Sequence, residues 1–195
     1  MSDDVLIEPG RLGTIDEATD RADAEALLEM LRGCAAAHAG PSGRTSAAAK
    51  LARQSIAAIW DEPRLRALGK EKGRYGRWPR SFPWSPAAHA VFHQFPDKAP
   101  SGVFVLEHLV PFKAHVVELF SQVDGMDAAG LIEYLHNRNV FAVITSVDDQ
   151  LLNAAGLRRS TPDVSRVWAR YEQIEALRPE GFAPLPEVGH SLSAP

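Results

Sequence analysis

Apolar residues follow two kinds of pattern along this chain. Over residues 14–68 they recur every three to four positions, the period of helices with one buried face. Thr14-Ile-Asp-Glu17 has the form of a capping box, in which the Thr oxygen and the Glu carboxylate each satisfy a free backbone N–H. It predicts a helix to about Ala39 with Leu27, Leu28 and Leu31 inside. After the break Gly40-Pro-Ser-Gly43, Thr45 or Ser46 caps a second helix with the stripe Ala48, Leu51, Ala52, Ile56, Ile59 and Trp60. Pro63 suits the first turn of a short third helix ending near Leu68-Gly69. The second pattern is the short unbroken apolar run. Residues 103–110 and 140–145 are too short for helices and rich in β-branched and aromatic side chains, so they read as buried strands.

Two helices are expected between those strands. The first follows Pro111, with Phe112, Val116, Leu119 and Phe120 inward and Lys113, His115 and Glu118 nearer the surface. The second follows an Asp127 cap and runs to about Arg138. A connection of this length permits a parallel crossover between the strands. Ser146-Val-Asp-Asp149 starts another helix, ended by Gly156 at the left-handed position. A last helix is expected over about 163–178, with Val164, Val167, Trp168, Tyr171 and Ile174 as its stripe. The predicted fold is therefore α+β and mainly helical: a helical N-terminal half plus a small two- or three-stranded sheet flanked by helices. One globular domain covers 1–178, with a helical part over about 14–95 and an α/β part over about 102–178. The Pro-, Gly- and Ser-bearing tail 179–195 is expected to be extended or disordered.

A chain of 195 residues buries a core without staples. Its single cysteine, Cys34, excludes an intrachain disulfide framework and a cysteine-based zinc site, and reads as a small buried hydrophobe. The acidic start Met1-Ser-Asp-Asp-Val lacks the build of a signal peptide, and no apolar run reaches the length of a membrane span. A soluble, cytoplasmic protein with no membrane partner is expected.

Charge is unevenly placed. Residues 1–29 hold nine acids against Arg11 and Arg21, and residues 44–80 hold ten Lys and Arg against Asp61, Glu62 and Glu71. Such polarity points to a polyanion-binding face or to an acidic segment lying on a basic one. Residues 69–86 contain three Gly and three Pro, which exclude regular structure, and alternate cations with Tyr75, Trp78, Phe82 and Trp84. Cations there can meet a phosphate backbone while rings stack on bases. The candidate contacts are Lys70, Lys72, Arg74, Arg77, Trp78 and Arg80. The plainer reading has the rings anchoring the loop to the core while the cations reach water. His89 and His93 are four apart and share a helix face, which is metal-ligand spacing but also the spacing of ordinary surface histidines.

Glu107 and His108 interrupt the first strand, and the run His136-Asn137-Arg138-Asn139 ends the helix before the second. Ionisable groups on an otherwise apolar strand cost free energy unless they are paired or functional. Leu106-Glu-His-Leu-Val-Pro111 resembles the first motif of the HNH, or His-Me finger, nucleases, and Leu135-His-Asn-Arg-Asn139 resembles the run that closes such motifs. The resemblance covers about residues 103–139. It lacks the family's central Asn, since residues 112–130 contain none, and the two expected helices replace a ββ hairpin.

The resemblance implies a metal-dependent nuclease acting on DNA ahead of RNA. In it His108 is the general base, Glu107 and His136 hold a divalent cation, and Asn137 completes the site. Mg²⁺ or Mn²⁺ suits such donors, and Zn²⁺ would accept the imidazoles. Imidazole is a natural base near neutral pH, and a cation offsets charge on the leaving oxygen. The alternative is a non-enzymatic nucleic-acid or protein-binding module that uses residues 64–84, with a protein partner or the chain's own acidic N-terminus on the basic face.

Overall fold

The computed structural model describes residues 7–39, 45–68, 78–96 and 100–186. Within them the chain is α+β and mainly helical, with one three-stranded sheet. Strand β1 (Gly10–Arg11) precedes helix α1 (Glu17–Ala39). Helix α2 (Thr45–Ser55) widens into π turns over Ile56–Asp61 and resumes as α3 (Glu62–Leu68). Helix α4 (Pro86–Gln94) leads to β2 (Phe104–His108), α5 (Phe112–Gln122), α6 (Ala128–Arg138), β3 (Val140–Thr145) and α7 (Ser146–Ala154).

Strand β3 is central, in the order β1-β3-β2, and every one of its residues is buried. A strand covered on both faces needs side chains of one character throughout, hence the unbroken run Val-Phe-Ala-Val-Ile-Thr. Phe141 and Val143 enter the larger core with helices α1, α2, α4, α5 and α6. Val140, Ala142 and Ile144 enter a second core with Leu152, Trp168, Tyr171, Leu177 and Phe182. The β2–β3 pairing is antiparallel, with Phe104 opposite Thr145 and His108 opposite Phe141, which corrects the expected parallel crossover. Two helices of equal length, α5 and α6, carry the chain from the end of β2 to the start of β3 beside it.

Close approach explains Gly10. A Cβ there would lie 2.5 Å from Phe82 Cγ and 2.6 Å from the Phe141 carbonyl oxygen. Farther along the same edge of β3, Val143 exchanges backbone bonds with Pro83 and Ser85, and Trp84 bonds Ala183 on its other side. The rings of Phe82 and Trp84 are therefore core.

Local expectations met several corrections. Asp16 caps α1 in place of Thr14, accepting from the Thr19 N–H at 2.8 Å. This bond holds the Asp16 carboxyl below the usual range. Leu51, expected inside, is 51% exposed, because α2 buries only the Ala48–Ala52 side. His115, expected near the surface, is buried. Asp127, Gly156 and Cys34 behave as expected: Asp127 caps α6, Gly156 has φ +74°, and Cys34 is buried, which raises its thiol pKa. Thr145, with Asp148, forms the capping box of α7 one residue ahead of the expected cap.

The expected helix over 163–178 is a chain of turns instead. Tyr171, Ile174 and Leu177 each donate to the carbonyl three residues before, which puts Trp168, Tyr171 and Leu177 on one buried side. A three-residue repeat of that kind shares its apolar spacing with a helix. The segment expected as a loose tail is docked as far as residue 186: Phe182 and Leu185 are buried and Ala183 pairs with Trp84. Among the described residues no helix is long and apolar enough to cross a membrane.

Candidate functional site

Successive side chains of a strand face opposite sides, and β2 shows the consequence. Phe104 and Leu106 pack into the larger core, while Val105 and Leu109 pack with the second. His108 follows Leu106. Its ring packs 4.4 Å from Phe141 and 5.4 Å from Phe112, centroid to centroid. Glu107 points the other way, and its Oε1 lies 2.6 Å from Nη2 of the buried Arg170.

The larger-core side holds the group that His108 does meet. Each π turn contains one residue more than an α turn, so the widened segment shifts the register of everything after it. Trp60 and Asp61, neighbours in sequence, both become buried, with Ile56 before them and Arg64 after. Asp61 is 4% exposed. Its Oδ1 accepts a hydrogen bond from Nδ2 of the buried Asn139, and its Oδ2 lies 3.8 Å from Nε2 of His108. That separation is an ion-pair distance, longer than a hydrogen bond. Nε2 itself is buried, yet the His108 side chain is 29% exposed. The exposed part of the side chain is thus elsewhere than Nε2.

Three further polar residues, His136, His115 and Tyr134, pack on the larger-core side. His136 sets its ring edge-on to Trp60 at 5.7 Å. Burial lowers its pKa; Asp20 opposes that shift, while Arg64 and Arg11 add to it. Arg11 donates to the His136 carbonyl at 2.6 Å and to Asn137 Oδ1 at 3.3 Å, so a cation sits at the C-terminal end of α6 where the helix dipole favours one. His115 is 1% exposed and both its ring nitrogens lack hydrogen-bond partners. It stacks on Tyr134 at 5.2 Å. Burial first, then the charges of His108 and Arg138, push its pKa down to about 3. Tyr134 donates to Glu118 Oε2 at 3.0 Å and to the His115 carbonyl at 3.1 Å, and burial beside Glu118 raises its own pKa.

Of the residues expected to form one site, His108 and His136 pack on the larger-core side, Asn137 accepts from Arg11 at the end of α6, and Glu107 lies across the sheet. Glu107 and His136 therefore do not converge on a shared cation. Among the described residues no three His, Cys, Asp or Glu side chains are grouped to hold a metal ion. His89 and His93 stack at 6.2 Å, and His89 Nε2 is 2.8 Å from the Ala183 carbonyl oxygen, so this ring is tied to backbone.

The expected nucleic-acid contacts divide. Lys70, Lys72, Arg74 and Arg77 lie outside the described residues. Trp78 is half-buried and packs edge-on to Phe104 at 6.0 Å, while Arg80 donates to the Pro186 carbonyl at 2.8 Å and lies 5.0 Å from the Phe92 ring centre. Arg64, at the start of the proposed contact segment, is buried. Its guanidinium lies 3.4 Å above Trp60, bonds Asp20, and pairs with Asp23 at 3.1 Å. Asp20 and Asp23 of the acidic N-terminal stretch thus pair with this one cation of the basic stretch.

Asp61 and Arg170 carry no sequence signal of their own. Asp61 counts as a surface acid in any α-helical register, and Arg170 as the polar face of an expected helix. Only the π turns and the chain reversal after α7 bring them to β2. No family model matches the chain, and no curated protein or solved structure does either.

Proposed function

We propose that this protein hydrolyses phosphodiester bonds in DNA or RNA, with His108 as general base and Asp61 as its orienting carboxylate. The observation that carries the reading is the Asp61–His108 alignment: a buried carboxylate 3.8 Å from the buried ring nitrogen of a half-open imidazole. A carboxylate there favours the tautomer with the proton on Nε2 and offsets the charge of the imidazolium that forms. Nδ1 then takes the proton of the attacking water. Asn139 fixes Asp61 by donating to its other oxygen. Catalytic hydrogen bonds are often long without substrate and tighten in the reacting complex, which suits the observed separation.

The resemblance to HNH nucleases adds a divalent cation to the proposal, Mg²⁺ or Mn²⁺ ahead of Zn²⁺. Glu107 does not fit that ion, since its carboxylate is already engaged by Arg170. Lys70, Lys72, Arg74 and Arg77 are proposed to bind the polyanion.

The test incubates pure protein with plasmid, single-stranded DNA and structured RNA, each with EDTA, Mg²⁺, Mn²⁺ or Zn²⁺. Cleavage by wild type and its loss in a folded Asp61→Asn variant are expected. Absence of cleavage under all of these conditions overturns the nuclease reading. Salt-sensitive binding without cleavage would then favour the binding module.

A further inference from the structure

We propose that Arg170 is a positioning residue for His108, with Glu107 as its counter-ion. The proposal rests on the reading of His108 as general base. Arg170 is fully buried, and its guanidinium serves four acceptors. Nη2 donates to Glu107 Oε1 at 2.6 Å and to the His108 carbonyl, Nε donates to the Leu109 carbonyl at 3.0 Å, and Nη1 donates to the Leu157 carbonyl at 3.2 Å.

Three of those acceptors belong to consecutive residues of one strand end. Strand β2 stops at His108, and the ladder closes with the Leu109 N–H on the Val140 carbonyl. The carbonyls of His108 and Leu109 take their bonds from Arg170 as the chain bends towards Pro111. A strand terminus without such partners frays, and buried carbonyls left unpaired are costly. The planar fork of a guanidinium can hold a carboxylate and two carbonyls at fixed angles, which a lysine cannot. Burying that cation requires a paired anion, and Glu107 supplies it. One side of the strand thus locks the backbone of His108 while the other presents its ring to Asp61. The Leu157 contact extends the lock to the turn after α7. Glu107 beside His108 is explained without a metal ligand: the adjacent position is the one that reaches the opposite face.

The test uses full-length protein with ¹⁵N-labelled histidine and follows the His108 imidazole by NMR across pH in wild type, Arg170→Gln and Glu107→Gln. Arg170→Lys, which keeps the charge and loses the fork, serves if Arg170→Gln does not fold. The His108 ring signals should move in the Arg170 variant and also in Glu107→Gln, while those of His89 and His93 hold. In cleavage assays kcat should fall by about tenfold to a hundredfold with KM nearly constant, as misplacement of a catalytic group produces. The double variant should be no worse than the Arg170 variant alone. Unmoved His108 ring signals in a folded Arg170 variant overturn the proposal. So does a Glu107→Gln loss of cleavage that is equally large with and without Arg170. The NMR result decides the positioning claim even if wild type cleaves nothing, so failure of the nuclease reading remains separately visible.

Discussion

Glu107 and His108 are adjacent in the chain and work on opposite sides of the sheet. Glu107 lies 2.6 Å from Arg170 on one side, and His108 faces Asp61 at 3.8 Å on the other. A dipeptide that reads as a single catalytic pair is divided by strand geometry into an ion pair with the buried Arg170 and an aligned imidazole. The two residues therefore have different expected phenotypes.

His108→Ala should remove most cleavage, by about 10²–10⁴-fold, because a general base acts in the transition state. Nucleic-acid binding should persist. The side chain is partly exposed and its Nε2 lies 3.8 Å from Asp61, beyond hydrogen-bond length, so the melting temperature should fall only slightly. Lys113→Ala should have little effect on either. Single-turnover kinetics beside circular dichroism measures both quantities. Metal-dependent cleavage at the wild-type rate by folded His108→Ala would refute the assignment.

Stability should fall on acidification below about pH 6.5, because of His115. Burial lowers its pKa from 6.5 to about 3, so between those values the unfolded chain binds a proton that the folded chain does not. Lowering pH through that window favours unfolding, and the loss levels off below the folded pKa. The magnitude is on the order of several kcal/mol, given about 1.4 kcal/mol per unit. His108 and Arg138 face His115 and act in the same direction, and the lowered pKa of His136 adds to the slope. His115→Phe, which keeps a ring against Tyr134, should flatten the dependence in urea titrations between pH 3 and 6.5. An unchanged slope would place the titration elsewhere.

Arg64→Ala should destabilise the fold by about 3–5 kcal/mol, since it strands Asp20 in the core. Asp20→Asn should cost less, because Asp23 remains 3.1 Å from the guanidinium. Thermal denaturation of both variants checks the order. If folded Arg64→Ala bound nucleic acid as weakly as a surface charge mutant, its pairing with Asp20 would not be its main role.

Nucleic-acid binding should depend on Lys70, Lys72, Arg74 and Arg77 and not on Arg80, whose guanidinium is occupied by the Pro186 carbonyl. Fluorescence anisotropy should show binding that weakens steeply with salt, as counterion release requires. Replacing the four cations by Ala should weaken it strongly and reduce the salt slope. Equal binding by the fourfold variant would count against this segment.

The sequence by itself determined most of the local structure. The unbroken apolar runs located β2 and β3, the three-to-four spacing located α1, α2, α5 and α6, Asp127 marked the start of α6, and Gly156 marked the end of α7. These are short-range effects: a pattern of side chains selects the backbone that can bury it. Tertiary structure decided what the charged residues do. Antiparallel pairing put β3 in the centre of the sheet, and strand alternation sent Glu107 away from His108. The π turns brought Asp61 inward, 47 positions before His108 in sequence, and the turns after α7 brought Arg170 to the end of β2. Such meetings depend on how whole elements cross. A polar residue has no periodicity that names its partner, and only the folded chain shows which buried charge is opposite which.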